Sequence, residues 1–279
     1  MFGIDLASVD SPGQPDYAAA KAAGLGFVIL RTAYGSYLDP FYASQAPIVK
    51  ASSLPFGGYL FLRFPFRGVA PASPEIQALA FCQALGVTSL PPSIDLEFPG
   101  KGRMETGLTQ AQALDWFKRA YDTIKAFFKI SPIVYTSSRV WNEDLGNPKA
   151  VWMLESPLWL AQYAYPAKWA AKLDPNVFPP KIPYAQGDAD NWWIHQYQGD
   201  SIHCPGFHTS TDLNRFNYLA KGAKSDRVSW VQKRLGIAQD RDFGPATDAS
   251  VKEFQCAHGL TADGIIGPTT FAALAWVIV

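Results

Sequence analysis

Eight short runs rich in β-branched and aromatic residues constrain this chain most, because the first five are separated by helix-like segments and the last three are not. The runs are Phe2–Leu6, Phe27–Thr32, Gly58–Leu62, Ser93–Phe98, Ile133–Thr136, Leu158–Tyr163, Trp192–Tyr197 and Thr211–Leu213. Helices are expected over Asp16–Ala23, Phe41–Lys50 and Pro74–Leu85. A fourth follows Thr109, which forms a T-x-x-Q capping box with Gln112. Along it Ala113, Phe117, Ala120, Ile124 and Phe127 step by 4, 3, 4 and 3, one helical face. The alternation predicts an α/β chain built as a TIM-like barrel of eight strands whose last three crossovers are irregular. A doubly wound open sheet is the rival, but no G-x-G-x-x-G turn follows any strand. The segment Tyr165–Asp190, with Pro166, Pro175, Pro179, Pro180 and Pro183, reads as a loop.

At 279 residues the chain has room for a large domain and a small companion, and 48% apolar against 17% charged residues provides a core rather than disorder. Lys plus Arg and Asp plus Glu are 24 each, so the zero net charge gives no electrostatic case for nucleic acid or an anionic membrane. The 9 Trp, 12 Tyr and 18 Phe offer another way to hold a polymer, since aromatic faces stack on sugars as well as filling cores. The N-terminus has no basic n-region, and no run of 18 apolar residues occurs, so neither a conventional export signal nor membrane insertion is expected. Cys82, Cys204 and Cys256 are far apart and odd in number, unlike a disulfide framework or a CxxC zinc site. Buried, inert thiols are expected.

Around residues 217–225 the aromatic density falls and the pattern turns purely helical, which divides the chain into 1–220 and 221–279. Val228, Val231 and Leu235 mark one helix, and Ala249, Phe254 and Leu260 a second that exits at Gly259. A third is expected over Thr269–Trp276. DRDFGPAT at Asp240–Thr247 and DGIIGPTT at Asp263–Thr270 form an internal repeat, each Gly-Pro giving a turn and a proline at a helix start. From Gly222 onward six basic residues balance six acidic ones, so this small three-helix bundle is no basic arm.

Chemistry concentrates in Pro92-Ser-Ile-Asp95-Leu-Glu97-Phe98-Pro99. Side chains two apart on a strand share a face, so Asp95 and Glu97 project together at the barrel mouth while Leu96 packs outward. Glycosidic hydrolysis needs such a pair, one acid to protonate the leaving oxygen and one carboxylate to stabilise or attack the anomeric centre. Like charges this close raise the pKa of one member. Alone, D-x-E also fits a solvated strand end or a salt bridge. Its context favours a site: Asp5 ends the first strand and Asp212 lies in the eighth, and in a closed barrel those strands are neighbours.

Gly3-Ile4-Asp5, Gly57-Gly58-Tyr59-Leu60-Phe61, Ile94-Asp95-Leu96-Glu97, Ile133-Val134-Tyr135-Thr136, Leu158-Trp159-Leu160-Ala161-Gln162-Tyr163, His195-Gln196-Tyr197 and Thr211-Asp212-Leu213-Asn214 together resemble glycoside hydrolase family 25 lysozymes, the Chalaropsis type, over residues 1 to about 220. The resemblance implies a (β/α)5(β)3 barrel of five helices and eight strands that cleaves the β-1,4 bond between N-acetylmuramic acid and N-acetylglucosamine without a cofactor. It implies that Glu97 is general acid then base, and that Asp95 is the nucleophile or orients the 2-acetamido group. Asp5 and Asp212 would tune charge and hydrogen-bond the reacting sugar. Tyr59, Phe61, Tyr135, Trp159 and Gln196 would line subsites, although the aromatic residues also fit the barrel interior. The family's third strand often has histidine after its tyrosine, where this chain has Leu60.

Trp230-Val-Gln-Lys-Arg-Leu235, FGPAT, Val251-Lys-Glu-Phe-Gln255, His258-Gly-Leu260 and DGIIGPTT resemble peptidoglycan-binding domain 1, with Arg241 in place of the glycine of the first D-G turn. A zinc amidase or peptidase using His195, His203, Cys204 and His208 is the rival enzyme, but their spacing matches no zincin motif and His195 sits in a strand pattern. A barrel that has lost activity and only binds wall is the rival outside enzymes. The combination is similar to a phage endolysin: a monomer made in the host cytoplasm, released through a holin lesion, acting on peptidoglycan. A bacterial autolysin or a secreted toxin are the alternatives.

Overall fold

A computed structural model describes residues 1–8, 15–163, 180–181, 190–201, 204–208 and 211–278. Most of the predicted loop Tyr165–Asp190 therefore lies outside the described residues, as does His203. The elements run β1 (Phe2–Leu6), α1 (Tyr17–Ala22), β2 (Leu25–Tyr34), β3 (Tyr37–Leu38), α2 (Pro40–Ala51), β4 (Phe56–Phe61), α3 (Pro74–Leu85) and β5 (Ser93–Asp95). They continue α4 (Gln110–Phe128), β6 (Ile133–Thr136), β7 (Leu158–Ala161), β8 (Ile194–Ser201), β9 (Thr211–Phe216), α5 (Asp226–Leu235), α6 (Pro245–Ala257) and α7 (Pro268–Ala275).

Eight strands close into a barrel, because β1 pairs with β2 on one side and β9 on the other, while β3 is a short antiparallel extension of β2. Strands β1 to β8 of the barrel wall run parallel, and β9 alone returns antiparallel to β8 and β1. The start of β9 thus lies at the mouth where the other strands end. A single π-helical turn, Val140–Asp144, stands in the place of the fifth helix.

Local chemistry sets the helix ends. Asp16 accepts from Ala19 N, Asp39 from Phe41 N and Ser73 from Ile76 N, and α2 and α3 each begin on a proline. The Thr109–Gln112 capping box makes both of its bonds. Helix α4 buries Ala113, Phe117, Ala120, Tyr121 and Ile124, whereas Phe127, expected on that face, is 48% exposed. Its neighbour Phe128 takes the inward edge and meets Trp276 edge-on at 6.1 Å. In α6 the buried face is Thr247, Val251 and Gln255, so the expected Ala249 points outward.

Several strands depart from their expected ends. The strand expected over Ser93–Phe98 stops at Asp95, because Pro99 has no N–H for a ladder and the chain leaves the sheet at the mouth. Leu96 N still reaches Tyr135 O at 2.9 Å. The expected Trp192–Tyr197 begins instead at Ile194 and runs to Ser201, since the antiparallel β9 pairs with it up to Thr211. The second strand extends to Tyr34 through its hairpin with β3, and the sixth ends at Ala161.

Alternation sorts the strand residues into two layers. Ile4, Val28, Leu30, Leu60, Ile94, Leu96, Val134 and Leu213 pack outward under the helices. Leu60, where the resembled family often has histidine, therefore faces this layer. Phe27, Ile29, Tyr59, Ile133, Tyr135, Trp159 and Phe216 fill the lumen. Gly3 permits that filling: a Cβ on it would sit 2.1 Å from the Phe27 ring.

The lumen core continues into the C-terminal helices. Phe271 of α7 lies 4.7 Å from Trp193 and 5.5 Å from Phe216, and Trp230 of α5 stacks on it at 5.5 Å. Trp193 precedes β8 and Phe216 ends the antiparallel β9, so this contact plugs the barrel end opposite the mouth. Arg227 locks the seam by donating to Asp190 O, Asp190 Oδ2 and Asn217 O at 2.6, 2.9 and 2.8 Å.

The internal repeat is a repeated hydrogen-bond network. Gln232 Nε2 donates to Asp240 Oδ1, Asp242 O and Thr247 Oγ1, and Gln255 Nε2 donates to Asp263 Oδ1, Ile265 O and Thr270 Oγ1. Arg241 holds the same left-handed backbone as Gly264, with φ of 65° against 76°, so the replaced glycine leaves the turn intact.

Because one core spans both parts, Phe271→Ala should cost about 3–5 kcal/mol and lower the midpoint of a single unfolding transition. Calorimetry showing two transitions, with only the smaller one shifted, would contradict a shared core.

Candidate active site

The mouth encloses a cavity of about 210 Å3 lined by all four expected acids, Asp5, Asp95, Glu97 and Asp212. Barrel closure makes Asp5 and Asp212 direct register partners across β1 and β9. Asp95 ends β5 and is 5% exposed, while Glu97, two residues beyond, is half-buried at the rim. The shared face expected from their spacing holds although the regular strand ends between them.

A hydrogen-bond lattice ties five of the strands together, β1, β6, β7, β8 and β9. Gln196 Nε2 donates to Asp5 Oδ1 at 2.9 Å and Asp212 Oδ2 at 3.2 Å. Its Oε1 accepts from the hydroxyls of Tyr135 and Tyr163, both at 2.7 Å. Asn214 Nδ2 donates to Asp5 Oδ1 at 2.7 Å and its Oδ1 accepts from Trp159 Nε1 at 2.7 Å. The Asp200 N–H reaches Asp212 Oδ1 at 2.8 Å. Asp5 and Asp212 are thereby held in place by donors, whereas Asp95 Oδ1 is buried without a partner among the described residues.

Burial pushes the Asp95 carboxyl well above its usual range, and the charges of Glu97 and Asp5 push it further against the opposing Arg31. Burial also raises Glu97, with Arg139 opposing. The pair therefore retains a proton into a pH range where free carboxylates have lost theirs.

The expected aromatic residues all line the cavity, but as a floor. Tyr59, Tyr135 and Trp159 are 8%, 6% and 1% exposed, and the Trp159 ring is wedged edge-on between the other two at 6.1 and 4.7 Å. Phe61 is more open and tilts against Tyr34. Reading the strands alone missed Arg31, Tyr163 and Asn214. The signal for Arg31 was a lone cation at lumen parity after Phe27 and Ile29, and for Asn214 its place two residues after Asp212.

The histidine and cysteine readings resolve separately. His195 is fully buried, its Nε2 2.8 Å from Gln162 O and its Nδ1 accepting from Arg215 Nε at 3.1 Å. Burial pushes it down to about 4, so the ring is neutral and both nitrogens are engaged by protein. Cys82 and Cys204 are buried, with thiols raised by burial to about 12 and about 11, but Cys256 is exposed, contrary to the expectation for all three.

The pattern of glycosyl hydrolases family 25 matches residues 4–206. The chain belongs to this family. A putative peptidoglycan binding domain matches residues 211–274. The family 25 barrel superposes on the bacterial lysozyme from Streptomyces coelicolor with a TM-score of 0.63 at 24% identity, covering 78% of this chain and 92% of that one. The autolytic lysozyme of Clostridium acetobutylicum is 25% identical over 293 residues, 98% of this chain and 78% of that protein. The zinc D-Ala-D-Ala carboxypeptidase of Streptomyces albus G is 44% identical over 61 residues, 19% of this chain and 24% of that protein. As a family 25 member, the protein is a glycoside hydrolase of the lysozyme class with a peptidoglycan-binding module.

Asp95 carries a stability cost whose sign is fixed. A carboxyl raised by burial keeps its proton in the folded chain where the unfolded chain releases it, so stability falls as pH rises above about 3.9 towards the folded value. Asp95→Asn should abolish activity yet stabilise the fold at pH 7 by roughly 1–3 kcal/mol, with little gain at pH 3.5. Denaturant unfolding at the two pH values measures this, and equal gains at both would disprove the buried-charge account.

Proposed function

We propose that the protein is an N-acetylmuramidase that cleaves the β-1,4 bond between N-acetylmuramic acid and N-acetylglucosamine in peptidoglycan. The observation that supports it best is the convergence of Asp5, Asp95, Glu97 and Asp212 on one cavity at the mouth of a family 25 barrel. In this reading Glu97, raised by burial and standing at the rim, donates its proton to the glycosidic oxygen as the N-acetylglucosamine hydroxyl departs. Asp95 acts at the anomeric carbon, by direct attack or by accepting the N–H of the substrate's 2-acetamido group on its unpartnered oxygen. Water then bonds to the anomeric carbon as the bond from that carbon to the Asp95 carboxylate, or to the acetamido oxygen, breaks, and Glu97 takes the water's proton, which restores the starting state. Asp5 and Asp212, held by Gln196 and Asn214, keep negative potential opposite the developing positive charge.

The chain divides, in the same reading, into a catalytic barrel over 1–220 and a wall-binding module over 221–279. It acts as a monomer, an endolysin made in the host cytoplasm and released through a holin lesion. Support comes from the pairing of lysozyme and wall-binding parts and from the near-neutral charge. The likeness to an autolytic lysozyme favours the alternative of a bacterial autolysin. Expression with and without a holin separates them, since an endolysin lyses only in its presence.

Glu97→Gln removes the proton donor at constant size. Turbidity loss of purified peptidoglycan should fall about 10²–10⁴-fold while sedimentation with the wall persists. Reduced wild-type digests should carry muramitol ends by mass spectrometry; glucosaminitol ends or freed peptides in their place would refute the muramidase assignment.

A further inference from the structure

The level of the sheet that holds Asp95 continues past the acids to an exposed ring and to a cation with no ion-pair partner among the described residues. Tyr34, Phe61, Asp95 and Tyr135 are successive register partners across β2, β4, β5 and β6. At the β2 end of this row the Tyr34 ring is 40% exposed and lies 5.0 Å from Phe61, which lines the cavity. Two guanidinium groups approach that ring, Arg31 at 5.5 Å and Arg63 at 5.0 Å.

The two cations differ in what else holds them. Arg31 is engaged within the protein, its Nε on Asp39 Oδ2 at 2.8 Å and its second amino group on Ser8 Oγ at 3.0 Å. Arg63 has no carboxylate within ion-pair distance among the described residues. Its backbone is nevertheless fixed: its N–H donates to Gln77 Oε1 at 2.9 Å, and its carbonyl accepts from Gln77 Nε2 at 3.0 Å and Trp116 Nε1 at 3.1 Å. Its stem runs past Gly35, where a Cβ would stand 2.9 Å from Arg63 Cδ and where φ is +63°. The hairpin therefore leaves room for a guanidinium laid on an aromatic face, its fork of donors without a carboxylate partner among the described residues.

Such a fork suits a carboxylate, which it can hold through two parallel hydrogen bonds. N-acetylglucosamine is neutral, but the muramyl unit carries a lactyl group that ends in a carboxylate or in a peptide stem with carboxylates of its own. We infer that Tyr34 and Arg63 form a subsite for a carboxylate borne on a muramyl unit, and that this subsite favours peptidoglycan over uncharged glycan. The inference rests on the muramidase reading and adds to it the means by which the cleft recognises the strand.

The test compares the full-length wild type with Arg63→Gln on three substrates: intact peptidoglycan, peptidoglycan with its carboxyls amidated, and amidase-stripped glycan strands that keep only lactyl carboxylates. Amidation should lower wild-type kcat/KM about tenfold, chiefly through KM, and added salt should narrow the gap. Arg63→Gln should cleave intact peptidoglycan at that lower level and be indifferent to amidation, and Arg63→Lys should recover part of the preference. Should Arg63→Gln fold poorly, Tyr34→Leu should give the same indifference. Stripped strands cleaved like intact wall show that the subsite takes a lactyl carboxylate as well as those of the stem peptide, and strands cleaved like amidated wall restrict it to the stem peptide. Arg63→Gln acting like wild type on every substrate, or losing the same factor on intact and amidated wall, overturns the subsite. Failure of the muramidase reading shows separately, as absence of muramitol ends from wild-type digests.

Discussion

The structure depends on a lumen that must be filled at one end and charged at the other. Closing eight strands into a barrel leaves an interior just wide enough for side chains, and alternation forces every second residue of each strand into it. Phe27, Ile29, Ile133 and Phe216 fill its lower part with hydrocarbon, and Asp5, Asp95, Glu97 and Asp212 occupy the upper rim. Between them Tyr59, Tyr135 and Trp159 form a layer that is apolar below and polar above. That layer keeps the acids off solvent on their inner side, which is why burial dominates the behaviour of Asp95 and Glu97.

Much of this was legible in the sequence because strand parity is an arithmetic property. Counting in twos from Asp5, Asp95 and Asp212 gives the lumen face, and the neighbourhood of the first and last strands follows from closure alone. Parity also carried Glu97 to the correct face, although regular pairing stops before it. Less legible were features that depend on partners distant in sequence. Arg31 reads as a flaw in an apolar run until Asp39 and the cavity are seen around it. Phe127 follows the helical step but ends up in solvent, while Phe128 meets Trp276 at the end of α7.

The seam between the parts illustrates the same limit. Trp193 precedes β8 and Phe271 belongs to α7, and nothing in the local sequence of either shows that they share one core. The barrel and the C-terminal helices are joined through an aromatic plug and through Arg227, a buried cation satisfied by Asp190 and Asn217. Within the small module, by contrast, the repeat was fully readable. Each half folds around a glutamine that bonds its own Asp-x-x-x-Gly-Pro-x-Thr loop, which is a local solution repeated twice.

The antiparallel return of β9 has a topographic consequence. One strand carries Asp212 at its upper end and, at its lower end, Phe216, which packs on Phe271, so the acid-lined cavity and the C-terminal helices stand at opposite ends of the barrel. A glycan held by the C-terminal helices and one entering the acid-lined cavity would therefore meet the chain at opposite ends of the barrel.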